Sequence, residues 1–142
     1  IIVGQDTDGS MTPMDVNMKW ILAKDKPFSY IGRRSFSISA LNSDDRFQLV
    51  GLLTKDAHVV LPEGSHIINN KGGSIGYVTS SYFSPILRRS IAMAQLKGGL
   101  SKMTETVLVK IVQEKQGLKE IPCEVSSSVF YDIEGEKVDG NE

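Results

Sequence analysis

The sequence predicts a mainly β fold, a small closed β-barrel of about six strands preceded by a short α/β segment. From residue 46 onward, short apolar runs alternate with polar residues, which is the period of a half-buried strand. Turns rich in glycine separate these runs at regular spacing, as in small all-β domains. Because closing a sheet removes its exposed edges, we expect the strands to form a barrel.

The first part of the chain carries helix signals. Thr12-Pro13-Met14-Asp15 has an N-cap threonine, a proline at the first helical position and an acid three residues after the cap, a pattern close to a capping box. It predicts a short helix that ends between Trp20 and Lys24, before Pro27. A second short helix is expected over residues 33–41.

The chain opens with Ile1-Ile2-Val3-Gly4, which resembles the middle of a strand and carries no signal-peptide pattern. We therefore expect a piece of a longer protein, with a processed chain as the alternative. The polar run over residues 42–45 predicts a boundary between two units, 1–43 and 44–142.

Strand signals fill the second unit. Phe47 to Leu53 is apolar on both faces, which predicts a central strand. Ser84-Pro85 resembles an N-cap followed by a first-turn proline, so a single helical turn over residues 86–89 is expected to link two strands. The other predicted strands cover residues 66–69, 75–80, 90–96, 106–112 and 119–125.

The composition limits the function. With 142 residues and 40% apolar content, the chain can form one core of its own. A net charge of −1 argues against a nucleic-acid or membrane partner attracted by bulk charge. The single cysteine, Cys123, excludes an internal disulfide, fits a reducing, cytoplasmic location, and is expected to be buried.

A direct search for chemistry finds little. Asp6-Thr7-Asp8-Gly9 lacks the further ligands of a calcium loop, so a solvated loop is favoured. His58 and His66 have no thiol or carboxylate cluster around them for zinc. The glycines over residues 72–76 precede a strand rather than a helix, which favours a hairpin turn over a phosphate site. The aromatic residues could either pack in the core or form a wall for a flat heteroaromatic ligand, and both interpretations stay open. They are Trp20, Phe28, Tyr30, Tyr82, Phe83 and Tyr131.

Six segments in order resemble the C-terminal part of the glycine-cleavage T-protein (aminomethyltransferase) superfamily. They are GQDTDGSMTPMDVNMKWILAK, FSYIGRRS, RFQLVGLL, VLPEGSHI, GYVTSSYFSPILRRSIAMAQLKGG and VFYDIEGEKVDG. Each segment is weak alone, but together they cover almost the whole chain with natural spacing. Within the superfamily they most resemble the α subunits of heterotetrameric sarcosine oxidases. One departure is Arg88, where the family commonly has a small residue or glycine.

The resemblance implies a fold and a function. Residues 1–43 would end a folate-binding domain, and residues 44–142 would form the C-terminal barrel. Tetrahydrofolate would accept the one-carbon unit released when sarcosine is oxidatively demethylated. Flavin and NAD would bind elsewhere in the full enzyme, and further subunits would complete a hetero-oligomer. Trp20, Tyr82 and Tyr131 are the residues that the resemblance places near folate.

No catalytic residue is assigned within the chain. The family's acidic groups are expected upstream of Ile1, so this fragment alone is expected to be inactive. Three alternatives remain open: a glycine-cleavage T-protein, the C-terminal region of a dimethylglycine or sarcosine dehydrogenase, and a purely structural barrel that docks subunits.

Overall fold

Six antiparallel strands in the described part of the chain form a closed barrel. The structure is a computed structural model and describes residues 1–23, 25–113 and 117–137. The strands are β1 (Phe47–Thr54), β2 (His66–Ile68), β3 (Ser74–Ser84), β4 (Arg89–Lys97), β5 (Thr106–Gln113) and β6 (Gly117–Ser126). Around the barrel their order is β1-β4-β3-β2-β5-β6, with β6 returning to β1. The predicted closed barrel is confirmed.

The core lies inside the barrel and consists of apolar side chains that alternate along the strands. Val50 and Leu52 of β1 are fully buried, as is Cys123 of β6. Burial raises the pKa of the Cys123 thiol to about 12, so the thiol stays protonated and unreactive at neutral pH. The expected buried role of this cysteine is confirmed. The core residues are Val50, Leu52, Leu61, Ile67, Val78, Ala92, Ala94, Leu96, Val107, Val109, Ile111, Ile121, Cys123 and Val125.

Strand β1 is covered on its outer face as well as its inner one, as predicted for a central strand. Leu49 is 1% exposed, and its backbone N–H donates to the carbonyl of Asp15, 2.7 Å away. A Cβ on Gly51 would clash with the carbonyl oxygen of Ser127 and lie 2.7 Å from a ring carbon of Phe130. The N-terminal segment and the C-terminal tail therefore both cross β1.

The first predicted helix begins as expected but does not continue. Asp15 Oδ2 accepts a hydrogen bond from the Thr12 backbone N–H at 2.7 Å, and the Asp15 N–H approaches Thr12 Oγ1 at 3.4 Å, which is the capping-box arrangement. One turn follows, and then Asn17 takes a φ of 57°, which ends the helix because left-handed backbone cannot propagate it. A 3₁₀-helix over Lys19–Ile21 follows, and Lys24 lies outside the described residues.

Other expectations about the N-terminal segment are partly confirmed. The second short helix is present as two 3₁₀-helices, Arg33–Ser37 and Ser39–Leu41. The expected strand at the start of the chain is wrong: Val3 makes only an isolated bridge to Thr7, because Gly4 turns the chain with a φ of 91°. In the part of the chain that the structure describes, no helix has the length and apolar character needed to cross a membrane.

The link between β3 and β4 is shorter than predicted. Residues 85–88 form a turn, and Ser84 Oγ accepts a hydrogen bond from the Leu87 N–H at 3.3 Å, as expected of a capping serine. Tyr82 and Phe83 belong to strand β3 and not to the link. Their side chains are therefore positioned by the register of the sheet.

Candidate functional site

A β-bulge decides where Tyr82 points. Val78 of β3 pairs with Ala94, but Ser80 pairs with Met93, so Thr79 is an extra residue in β3. One extra residue moves all later side chains to the opposite face of a strand. Without the bulge, the alternation from the buried Val78 would turn Tyr82 into the barrel. With it, Tyr82 lies on the outer face and is 57% exposed.

Tyr82 borders an apolar pocket on the outside of β3 and β4. The pocket has a volume of about 200 Å³. Three parts of the chain form it: the N-terminus, the two strands and the C-terminal tail. Its lining residues are Ile1, Ile2, Ser80, Tyr82, Ile91, Ala92, Met93 and Phe130. An apolar cleft with an aromatic edge is suited to a flat ring of a ligand.

The carboxylate of Asp6 holds the walls of this pocket together. Asp6 is fully buried. Its Oδ1 accepts hydrogen bonds from Thr79 Oγ1 at 2.5 Å and Ser80 Oγ at 2.9 Å, both at the bulge. Its Oδ2 accepts one from the Ile2 backbone N–H at 2.7 Å. One side chain thus joins the N-terminal wall to the β3 wall through three hydrogen bonds.

Two glutamine side chains reinforce this junction by donating hydrogen bonds to backbone carbonyls. The amide of Gln95, on β4, donates from Nε2 to the Asp6 carbonyl at 3.1 Å. The side-chain amide of Gln5 donates from Nε2 to the backbone carbonyl of Thr79 at 2.6 Å. Thr79, the extra residue of the bulge, is therefore bonded through both its hydroxyl and its carbonyl. These bonds fix the strand at the point where its side chains switch between the inner and outer faces of the barrel.

A second cleft, of about 500 Å³, lies where the N-terminal segment meets the barrel, and its wall includes Asp15, Lys19, Asp44 and Gln48. Asp15 is 2% exposed and pairs with Arg46, whose Nη2 lies 2.9 Å from Asp15 Oδ2. Burial alone would raise the pKa of Asp15, but hydrogen bonds from Arg46 and Thr12 outweigh it and lower that pKa. Asp15 is therefore an ionised anchor rather than a proton donor or acceptor.

The structure separates the three predicted site residues. Tyr82 borders the outer pocket, whereas Trp20, in the 3₁₀-helix Lys19–Ile21, is 76% exposed and lies outside it. Tyr131 is 47% exposed, and its hydroxyl accepts a hydrogen bond from Lys137 Nζ. The pocket residue contributed by the tail is Phe130, its neighbour.

Sequence reasoning missed both Asp6 and Phe130. The solvated loop that the sequence predicts around Asp6 is wrong for this residue, because Asp6 is fully buried and its oxygens accept hydrogen bonds from two hydroxyls and a backbone amide. Among the described residues, no group of three or more histidine, cysteine or acidic side chains could hold a metal ion. One signal in the sequence could have pointed to Asp6. Thr79 and Ser80 are adjacent hydroxyl residues in a predicted strand, and buried hydroxyls need a hydrogen-bond partner.

Three comparisons with known proteins identify relatives. Residues 48–132 match the family model described as "Glycine cleavage T-protein C-terminal barrel domain". The sarcosine oxidase subunit alpha of Corynebacterium sp. (strain P-1) is 37% identical over 99% of this chain, which spans 14% of that relative. An aminomethyltransferase of Synechococcus sp. (strain CC9311) is 30% identical over 92% of the chain and 33% of its own length.

A solved structure supports the same relationship. The glycine cleavage system aminomethyltransferase T from Bartonella henselae matches with a TM-score of 0.74 and 25% identity, over 90% of this chain and 34% of that one. Both the family model and the relatives thus match the larger part of the sequence. The chain belongs to the family of the glycine cleavage T-protein C-terminal barrel domain.

Proposed function

We propose that this chain acts as the C-terminal part of a folate-dependent, amine-oxidising enzyme that most resembles the sarcosine oxidase α subunit. The observation that carries the proposal is the match of 99% of the chain to two proteins named sarcosine oxidase subunit alpha, at 37% and 35% identity. In this proposal sarcosine is oxidatively demethylated, and residues 1–43 and 44–142 belong to a folate-binding domain and its barrel. Other subunits and the sites for flavin and NAD lie outside the chain.

The outer pocket is the part of this chain that fits a folate ring. Its apolar walls and the exposed edge of Tyr82 would contact a flat heteroaromatic group. Its volume of about 200 Å³ is below the roughly 300–1,000 Å³ of most ligand sites. We therefore propose that this chain supplies one wall of a larger cavity. Trp20 and Tyr131 remain proposed folate contacts, although neither lines the outer pocket.

The work of the chain's own residues in this proposal is binding and orientation. Tetrahydrofolate, when bound, supplies the acceptor for the one-carbon unit. Tyr82 holds one ring, the apolar walls exclude water from it, and Asp6 keeps the two walls in register. No proton transfer is assigned to the described residues, because the two buried carboxylates, Asp6 and Asp15, are already bonded within the fold.

The test uses the full-length enzyme and the variant Tyr82→Ala. We expect tetrahydrofolate to bind about tenfold more weakly, since loss of an aromatic contact and its buried area costs roughly 1–2 kcal/mol. Sarcosine oxidation should continue, with formaldehyde released in place of the folate product. Phe83→Ala is the matched control, because Phe83 follows Tyr82 on the opposite face and stacks on His58 at 5.8 Å.

Two outcomes would contradict the proposal in different ways. Equal folate affinity in the two variants would remove Tyr82 from the site. A full-length enzyme that does not oxidise sarcosine would contradict the reaction itself. A gene without a dinucleotide-binding region upstream of these residues would then favour an aminomethyltransferase, to which 92% of the chain also matches.

A purely structural role is the second candidate. It is favoured by the absence of a catalytic constellation among the described residues, where the buried acids are engaged in hydrogen bonds. In that case the barrel would only dock other parts of the enzyme. Saturable folate binding to this chain at micromolar concentration would contradict it.

A further inference from the structure

A further small pocket shares Phe130 with the outer pocket. It has a volume of about 180 Å³ and is formed by the end of β1, the β3–β4 turn and the C-terminal tail. Most of its lining is apolar, and the one charged side chain in it is Arg89. The lining residues are Leu53, Leu87, Arg89, Ser126, Ser127, Val129, Phe130 and Ile133.

The guanidinium of Arg89 has hydrogen-bond donors to spare. Its Nη2 donates to the carbonyl of Thr54 at 3.0 Å. Its Nε is buried and has no acceptor among the described residues. Buried donors without partners are rare in folded proteins, because each one costs the desolvation of a polar group.

The positive charge of Arg89 is also uncompensated within the described residues. The ion pairs there join Arg46 to Asp15 and Lys97 to Asp45, and neither includes Arg89. The side chain is only partly exposed. A partly buried charge next to apolar side chains is unfavourable unless an anion accompanies it.

We propose that this pocket binds a small monocarboxylate, with the carboxylate on the Arg89 guanidinium and a short apolar chain against Leu53, Val129 and Ile133. A carboxylate accepts charge-assisted hydrogen bonds from a guanidinium. In this pocket the terminal nitrogens of Arg89 would donate them, because its Nε is buried. The volume of the pocket limits the ligand to a few non-hydrogen atoms. The site shares Phe130 with the outer pocket but does not include Tyr82, and the proposal does not depend on folate binding.

The lining selects a carboxylate over other anions. Inorganic phosphate has four polar oxygens, and those that do not contact Arg89 would lie against five apolar side chains, with a single cation to neutralise the charge. A neutral apolar molecule would fill the space and leave the Arg89 donors unpaired. A carboxylate with a short alkyl chain meets both requirements.

The test is an NMR titration of the protein with butyrate at constant ionic strength. We expect saturable shifts of the Ser126, Ser127 and Val129 amides and of the Arg89 Nε–H, with a dissociation constant of about 1–10 mM. Butyramide, which is neutral and nearly isosteric, and inorganic phosphate should bind at least about tenfold more weakly. Arg89→Gln should weaken butyrate binding at least about tenfold, because a charge-assisted hydrogen bond is lost.

Arg88→Gln is the matched control, since Arg88 is exposed and does not line the pocket. It should bind butyrate as the unchanged protein does. If Arg89→Gln does not fold, the butyrate-dependent shift of the Arg89 Nε–H in the unchanged protein decides the question. Equal shifts with butyramide, equal affinity of the two arginine variants, or no saturation up to about 50 mM butyrate would each overturn the proposal.

Discussion

The barrel and the N-terminal segment are built on opposite principles. The barrel, residues 47–126, closes on itself and buries a continuous apolar core. Residues 1–43 place large apolar side chains on the surface, with Trp20 76%, Phe28 64% and Ile31 103% exposed. None of the three 3₁₀-helices of this segment has a buried residue. The comparison shows that the barrel supplies its own stability, whereas the segment is held by a few polar anchors.

Those anchors are two buried carboxylates. Asp6 ties the start of the segment to the bulge of β3, and Asp15 ties its middle to Arg46. Between residue 19 and residue 41 the segment has no comparable anchor among the described residues. Exposed apolar area on this scale is typical of surfaces that another protein surface covers, which agrees with the proposed place of the chain within a larger enzyme.

The largest expected effect separates the two regions directly. Leu52→Ala, in the barrel core, is expected to destabilise the protein by about 2–5 kcal/mol, since it removes a fully buried side chain and leaves a cavity. Ile31→Ala, in the segment, should change stability by less than about 0.5 kcal/mol because Ile31 contacts little. Urea denaturation of both variants measures the difference. Similar losses would mean that the segment is part of the same cooperative core.

The second prediction concerns the Asp15 anchor. Asp15→Ala should cost about 3 kcal/mol, because it leaves Arg46, 22% exposed, without its partner. Asp45→Ala removes the partner of Lys97 in a pair whose side chains are 54% and 72% exposed, and it should leave the denaturation midpoint unchanged. Equal effects of the two substitutions would contradict the role of Asp15 as an anchor.

The same anchor predicts a dependence on pH. The pKa of Asp15 is lower in the folded protein than the ordinary value of 3.8, so its stabilisation is complete above that value. It is lost as the pH falls through the lowered pKa of the folded state. The stability difference between the unchanged protein and Asp15→Asn, measured by denaturation, should therefore shrink with acidification below about pH 4. A constant difference would contradict the assignment.

A fourth prediction tests how the tail is attached to the barrel. In Gly51→Ala the added methyl would clash with the backbone of Ser127, so we expect a loss of about 1–3 kcal/mol and earlier proteolysis of the tail. Gly9→Ala is the control, because nothing lies within 4 Å of its added Cβ. If the tail of Gly51→Ala keeps its resistance to protease, the tail does not depend on this crossing.

The sequence allows the barrel to be predicted but not its outer pocket. Alternation of apolar residues defined the strands, since burial imposes that period on every strand. The bulge at Thr79 is one added residue with no compositional signature, yet it determines that the Tyr82 side chain lies on the outer face of the barrel. The contact between Asp6 and Thr79 spans 73 positions and follows from the tertiary fold alone. The first helix had a correct start signal, but the left-handed Asn17 was not evident from the sequence.

The smallest expected effect lies in the β3–β4 turn. Arg88 takes a φ of 52°, a conformation that costs residues other than glycine about 1–2 kcal/mol. Arg88→Gly removes this cost but adds freedom to the unfolded chain, worth roughly 0.5–1 kcal/mol. We therefore expect a net stabilisation of up to about 1 kcal/mol, measured by urea denaturation.

Arg33→Gly is the control for this substitution. Arg33 begins a 3₁₀-helix and is not among the residues with positive φ, so the same change there should destabilise by roughly 0.5–1 kcal/mol. Opposite signs at the two arginines would show that backbone conformation, not loss of charge, determines the effect. If both variants lose stability equally, the Arg88 side chain contributes contacts that outweigh its strained backbone, and a left-handed residue is not a weak point of the turn.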